Sequence, residues 1–176
     1  MRSATSSRVQ QLSLGAMFTA LSVIALYFAA TLPSGKWALL FVSSIFTMPL
    51  LVEDRLSFAL VQFVATSALA LLFVPNLTMV LPYVFLFGHY GIGKYFLEKT
   101  CKVKWQAFIW KLLYYNAGMA AIYFVCFPLI AGRFLSGLAL PWLILIAEGV
   151  FVVFDYLYSK VTLFYTASIR KVLLRR

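Results

Sequence analysis

Acid, histidine and cysteine are all scarce in this chain. Its 176 residues hold five Asp and Glu against fifteen Lys and Arg, with one His and two Cys. Each shortage closes off a class of function. A lone histidine, His89, has no companions for a metal centre, so no metal is expected. Cys101 falls in a segment read below as cytoplasmic and Cys126 in the outer half of a span, so the two cannot meet and no disulfide is expected. So few acids leave no water-exposed carboxylate pair, and neither a Ser–His–Asp set nor H-E-x-x-H occurs; no enzyme and no cofactor are expected. Charge as a whole is scarce too. Only 11% of residues are charged and 64% are hydrophobic, with a mean hydropathy of +0.95, whereas a soluble domain is about 25% charged and 45–50% apolar. No polar stretch is long enough for a separate soluble domain. The composition implies an all-α integral membrane protein with one membrane domain over residues 1–176.

What is present is apolar sequence in six runs. Charges, prolines and glycines cut the chain into Leu12–Leu32, Trp37–Val52, Leu56–Val74, Leu77–Gly93, Trp105–Ile130 and Leu138–Tyr158. The first, at 21 residues, exceeds the core of a removed signal peptide and is expected to be a retained span. The second and fourth, 16 and 17 residues, are short for a spanning helix and are expected to tilt little, be partly broken or recruit flanking residues. Residues 161–176, "VTLFYTASIRKVLLRR", have the pattern of a basic amphipathic tail lying on the membrane.

The basic residues set the orientation. With both termini cytoplasmic, the inner segments hold Arg2, Arg8, Arg55, Lys94, Lys99, Lys102, Lys104, Lys160, Arg170, Lys171, Arg175 and Arg176. The outer loops hold Lys36 and Arg133, and Lys111 lies within a span. Twelve against two selects an even number of spans with both ends inside. The net charge of +10 then faces anionic lipid of the inner leaflet. Nucleic acid is not an expected partner, because the charges are spread over four segments without a recognition module.

One short motif invites a different conclusion. In "FGHYGIGKYFLE", Gly88, Gly93 and Lys94 stand at the spacing of the phosphate-wrapping G-x-x-x-x-G-K. That loop needs a preceding strand and a Ser or Thr beside the lysine; here the preceding "LTMVLPYVFLF" reads as helix kinked at Pro82, and Tyr95 follows the lysine. Nucleotide binding is not expected. Gly88, Gly91 and Gly93 are expected to let another helix approach closely.

Polar residues inside the spans carry the remaining information. At about 1.5 Å per residue, Lys111 lies roughly 9 Å and Asp155 roughly 5 Å from the inner ends of their spans. They can pair, or Lys111 can snorkel to the lipid surface. Glu148, about 15 Å deep, is beyond snorkelling reach and needs a partner or a proton. Tyr114, Tyr115 and Asn116 lie at the same depth. Nearer the outside are Tyr83, Tyr123 and Trp142, with Lys36 and Trp37 in the first outer loop and Asn76 in the second. An aromatic wall with a few placed polar groups is the make-up of a small-molecule site; Trp37 and Trp142 also suit a membrane interface belt. Glu148 is either a ligand contact or a buried hydrogen-bond node. The adjacent acids Glu53 and Asp54 are expected to solvate a turn.

The six short helices, the inside termini, the basic cytoplasmic face and the Ala16-x-x-x-Ala20 pattern in "GAMFTALSVIALYF" resemble the S component of energy-coupling factor (ECF) vitamin transporters. The resemblance implies a bacterial plasma-membrane subunit that captures a vitamin-like solute from outside. It further implies a membrane coupling subunit docked at Ala16 and Ala20, and two ATPase subunits that supply the energy. The solute would sit among Lys36, Trp37, Asn76, Tyr83, Tyr115, Asn116, Tyr123, Trp142 and Glu148. A second resemblance, to the rod-shape-determining MreD-like family, implies instead a ligand-free scaffold for cell-shape or cell-wall assembly.

Overall fold

A computed structural model describes residues 2–101, 103–130 and 140–169. Its described residues are helical with short connections and contain no strand. The helices are α1 (Arg2–Thr31), α2 (Lys36–Ile45), α3 (Met48–Val52), α4 (Leu56–Phe73), α5 (Leu77–Pro82), α6 (Gly88–Thr100), α7 (Lys104–Ile130) and α8 (Leu140–Phe164). Two π-helical turns, Tyr83–Phe87 and Tyr165–Ile169, follow α5 and α8. The chain divides into two compact units, Met1–Phe96 and Leu97–Arg176.

Local chemistry sets most of the boundaries. Pro33 follows the end of α1, and Gly35, at φ 77°, turns the chain into α2, a conformation glycine adopts without steric cost. The second apolar run is broken, as its length suggested. It forms α2 and α3 with a turn at Phe46 and Thr47, and Pro49, lacking an N–H, sits in the first turn of α3 where that donor is not needed. Asp54 takes the left-handed conformation, φ 55°, between α3 and α4, which Asp tolerates better than most residues; its carboxylate accepts a hydrogen bond from the Tyr95 hydroxyl. Asn76 caps α5, its side-chain oxygen accepting from the Thr78 N–H at 3.0 Å. Pro82 does not break the fourth run. It interrupts the backbone ladder and is followed by the π-helical turn, after which helix resumes to Thr100 rather than stopping at Gly93. Similarly α8 continues past Tyr158 to Phe164. Residues 161–164 of the expected surface tail therefore belong to α8, and 170–176 lie outside the described residues.

Along α1 and α4 of the first unit most large apolar side chains face outward over small and polar ones, the inverse of a soluble bundle, although Leu26 joins the core. Along α4 the buried positions are Ala59, Gln62, Thr66 and Ala70, while Leu60, Val61, Val64, Leu71, Leu72 and Phe73 are exposed. On α1, Thr19, Ser22, Ala25 and Ala29 are buried, and Leu21, Ile24, Tyr27 and Phe28 face outward. Small and hydroxylated residues let these helices pack closely. The Ser22 hydroxyl donates to the Ser43 carbonyl at 3.1 Å, tying α1 to α2, and Ser43 and Ser44 donate to carbonyls of their own helix at 2.7 Å. Leu26, Leu40, Val80 and Tyr83 complete one core cluster. Leu50, Leu51 and Ala59 form a second, packed by Phe18, Phe58, Ile92 and Tyr95.

Gln11–Thr31 and Leu56–Phe73 are long and apolar enough to cross a membrane by length and composition; Lys36–Val52 is apolar but shorter.

Candidate functional site

In the second unit, α7 and α8 present polar residues to each other in two tiers. Lys111 and Tyr115 are one helical turn apart on α7, with Asn116 next to them; Glu148 and Asp155 are seven residues apart on α8, about 10 Å along the axis. The helices run antiparallel, so the lower-numbered α7 residue meets the higher-numbered α8 residue.

The first tier is ionic. The Lys111 ammonium lies 2.9 Å from Asp155 Oδ2 and 3.1 Å from Glu98 Oε1. Lys111 and Asp155 are largely buried, at 8% and 13% side-chain exposure, while Glu98 is about half exposed. The expected pair with Asp155 is formed, and Lys111 does not reach for the surface alone. Glu98 joins them as a third member because helix continues past Gly93, where the apolar run ends. The i, i+4 spacing of Lys94 and Glu98 in "KYFLEK", immediately after that point, is the sequence signal that helix continues.

The second tier is a carboxyl–amide contact. Asn116 Nδ2 donates to Glu148 Oε1 at 2.7 Å and to the Leu112 carbonyl at 3.0 Å, so its own helix holds the amide in place. Tyr115 donates its hydroxyl to the Ala147 carbonyl at 3.3 Å. Its ring stacks on Phe151 at 4.5 Å between centroids, between the two tiers. Among the described residues, no basic side chain pairs with Glu148. The carboxyl thus has one neutral donor, an adjacent aromatic pair, and remaining acceptor capacity.

The other expected site residues divide between the two units. Tyr123 is partly exposed, with its ring edge-on to Phe124 at 6.0 Å, and Trp142 is 68% exposed. In the first unit, Lys36 opens α2, and the exposed Trp37 ring lies 6.4 Å from Phe87. Asn76 spends its side-chain oxygen on capping, accepting from Thr78 Oγ1 at 2.6 Å as well as from the backbone. Tyr83 is wholly buried; its hydroxyl lies beside Thr66 without completing a well-formed hydrogen bond.

The residues of the phosphate-loop spacing lie inside a helix rather than at its end. Gly88–Lys94 is continuous helix in α6, with no loop to wrap a phosphate. A Cβ on Gly88 would come within 2.8 Å of the Phe63 ring and 2.9 Å of the Tyr83 ring, so glycine here permits close packing. His89 packs edge-on against Phe63 at 5.8 Å. Among the described residues no group of three His, Cys, Asp or Glu could hold a metal ion. Cys101 is free, and the side chain of Cys126 lies outside the described residues.

No known family, characterised protein or solved structure matches the chain.

Two buried polar residues escaped the sequence. Gln62 and Thr66 sit inside a run apolar in nearly every direction, so no periodicity marks the face they share with Ala59 and Ala70.

Proposed function

We propose that this chain is a multi-pass bundle of six spans in the bacterial plasma membrane, with both termini cytoplasmic, and that it binds a small vitamin-like solute from outside. In this proposal it serves as the substrate-binding subunit of an ECF-type uptake system. A coupling subunit docks at the surface bearing Ala16 and Ala20, and partner ATPases supply the energy. The inverted burial of α1 and α4 supports the membrane placement: exposed Leu, Val and Phe over buried Ser, Thr and Gln suit lipid rather than water.

The observation that carries the solute-binding function is the Asn116–Glu148 contact. A carboxyl in the middle of an apolar helix is costly and is commonly functional. This one is positioned by an amide but neutralised by no cation among the described residues. A solute with a cationic or hydrogen-bond-donating group would complete it, with the Tyr115–Phe151 stack as an adjoining apolar wall.

A thermal-shift panel of water-soluble vitamins and their precursors, on detergent-purified protein, tests this. A true ligand at a hundred times its Kd stabilises by about 2.7 kcal/mol. The wild type should shift with one chemical class. Glu148→Gln should retain the unliganded midpoint yet lose about 1.5–3 kcal/mol of that ligand's affinity. Equal affinity in a well-folded Glu148→Gln protein would exclude the role given to the carboxyl. A fall in the unliganded midpoint of Glu148→Gln, with binding falling only in step, would make the contact helix–helix glue.

A further inference from the structure

An open groove of about 340 Å³ runs between α1 and α4 in the first unit. Its walls include Gly15, Ala16 and Ala20 from α1 and Ala65 from α4, so a third helix backbone can come close. Two polar side chains line it, and they differ. Thr19 is satisfied, donating to the Gly15 carbonyl at 2.9 Å. Gln62 is not. It is 2% exposed, and among the described residues neither its amide nitrogen nor its oxygen has a hydrogen-bond partner.

An amide buried without partners is costly, and an apolar residue of similar volume at that position would remove the cost. The floor of the groove therefore holds one donor group and one acceptor with nothing to meet them. A lipid chain could fill the space but would leave both unsatisfied. A second side-chain amide answers both at once, its N–H to the Gln62 oxygen and its oxygen to the Gln62 N–H. Such contacts between spans stabilise membrane helix pairs.

We infer that the α1–α4 groove docks a transmembrane helix of a partner protein carrying a side-chain amide, which pairs reciprocally with Gln62. The small residues set how closely that helix approaches, and Gln62 sets which helix is accepted. This inference rests on the membrane placement and on the docking surface at Ala16 and Ala20 proposed above, whose partner helix it specifies, and is independent of the solute bound at Glu148.

The test uses the full chain, fluorophore-labelled and reconstituted in phosphatidylcholine vesicles. Two synthetic Leu/Ala spanning peptides are compared, one with Asn at its centre and one with Leu there, each dilute enough to be monomeric. The Asn peptide should associate by energy transfer about three- to thirtyfold more tightly than the Leu peptide. In Gln62→Met, and in Gln62→Leu as a second variant, that preference should vanish while the thermal midpoint stays level or rises; a residue serving only to hold the fold would lower it. Ala16→Leu with Ala20→Leu should weaken both peptides by closing the groove. Equal association of the two peptides with the wild type overturns the inference, as does a preference that survives in a folded Gln62 variant. Failure of the chain to float with the vesicles overturns the membrane placement itself.

Discussion

The two units bury polar groups by different means. In Met1–Phe96 most buried polar groups are hydroxyls and one amide, on Thr19, Ser22, Ser43, Ser44, Thr47, Gln62 and Thr66, with the buried Lys94 the charged exception among the described residues. Several of the hydroxyls donate to a carbonyl of their own helix, so they cost little to bury and allow helices to approach. In Leu97–Arg176 hydroxyls also donate to carbonyls, Tyr115 to Ala147 among them, but ionic and carboxyl contacts join α7 and α8 as well: Lys111 with Asp155, and Glu148 with Asn116, with Glu98 as a further partner of Lys111. Charges in an apolar setting need specific partners. Neutral groups join α1 to α2 in the first unit, which is consistent with the proposals that place partner association on α1 and α4 and solute binding on α7 and α8.

Breaking the ionic tier should have the largest effect on stability. Lys111→Met leaves Asp155 buried beside an apolar side chain, and losing one member of a buried pair costs about 3–5 kcal/mol. Thermal unfolding in detergent should show a large fall in midpoint, and the double replacement Lys111→Met with Asp155→Leu should recover much of it. A single replacement that unfolds like the wild type would mean the pair is effectively solvated.

The packing of the first unit should be the next most sensitive. Gly88→Ala places a Cβ within 2.9 Å of the Phe63 and Tyr83 rings, and overpacking of this kind costs about 1–3 kcal/mol. A folded variant should lose midpoint by less than Lys111→Met does. Gly149→Ala meets nothing within 4 Å and serves as the control from the second unit, expected to be neutral or slightly stabilising because Ala favours helix.

How far these differences could be read in advance depended on the residue type. A lysine and an aspartate inside spans are conspicuous, so Lys111 and Asp155 could be matched by depth alone, and so could Asn116 and Glu148. Pro82 marked a discontinuity, although not its resolution as a π-helical turn within a continuing helix. Charges do not mark helix ends here: Lys94 is compatible with helix, and α6 carries on to Thr100, which is what brings Glu98 to Lys111. Gln62 stayed hidden because α4 is apolar on its outer face and small on its inner one, leaving no amphipathic stripe to point the amide inward. Six spans could be counted from apolar runs, whereas Gln11–Thr31 and Leu56–Phe73 alone among the described helices meet both length and composition for crossing.

The smallest expected effect concerns a helix end. Asn76→Ala removes the cap of α5 and should cost about 1 kcal/mol, lowering the midpoint slightly while leaving solute binding at Glu148 unchanged. A loss of binding larger than the loss of stability would instead draw Asn76 into the solute site.

Orientation underlies the assignment of an outer solute site and an inner basic face, and labelling of two cysteines measures it. With Cys126→Ser, Cys101 reports on the junction of α6 and α7; adding Ser34→Cys with Cys101→Ser reports on the turn between α1 and α2. In intact cells an impermeant maleimide should label the Ser34→Cys protein at once, and should reach Cys101 only after the membrane is permeabilised. Labelling of Cys101 in intact cells, or protection of the Ser34→Cys protein, would contradict the six-span arrangement with both termini inside.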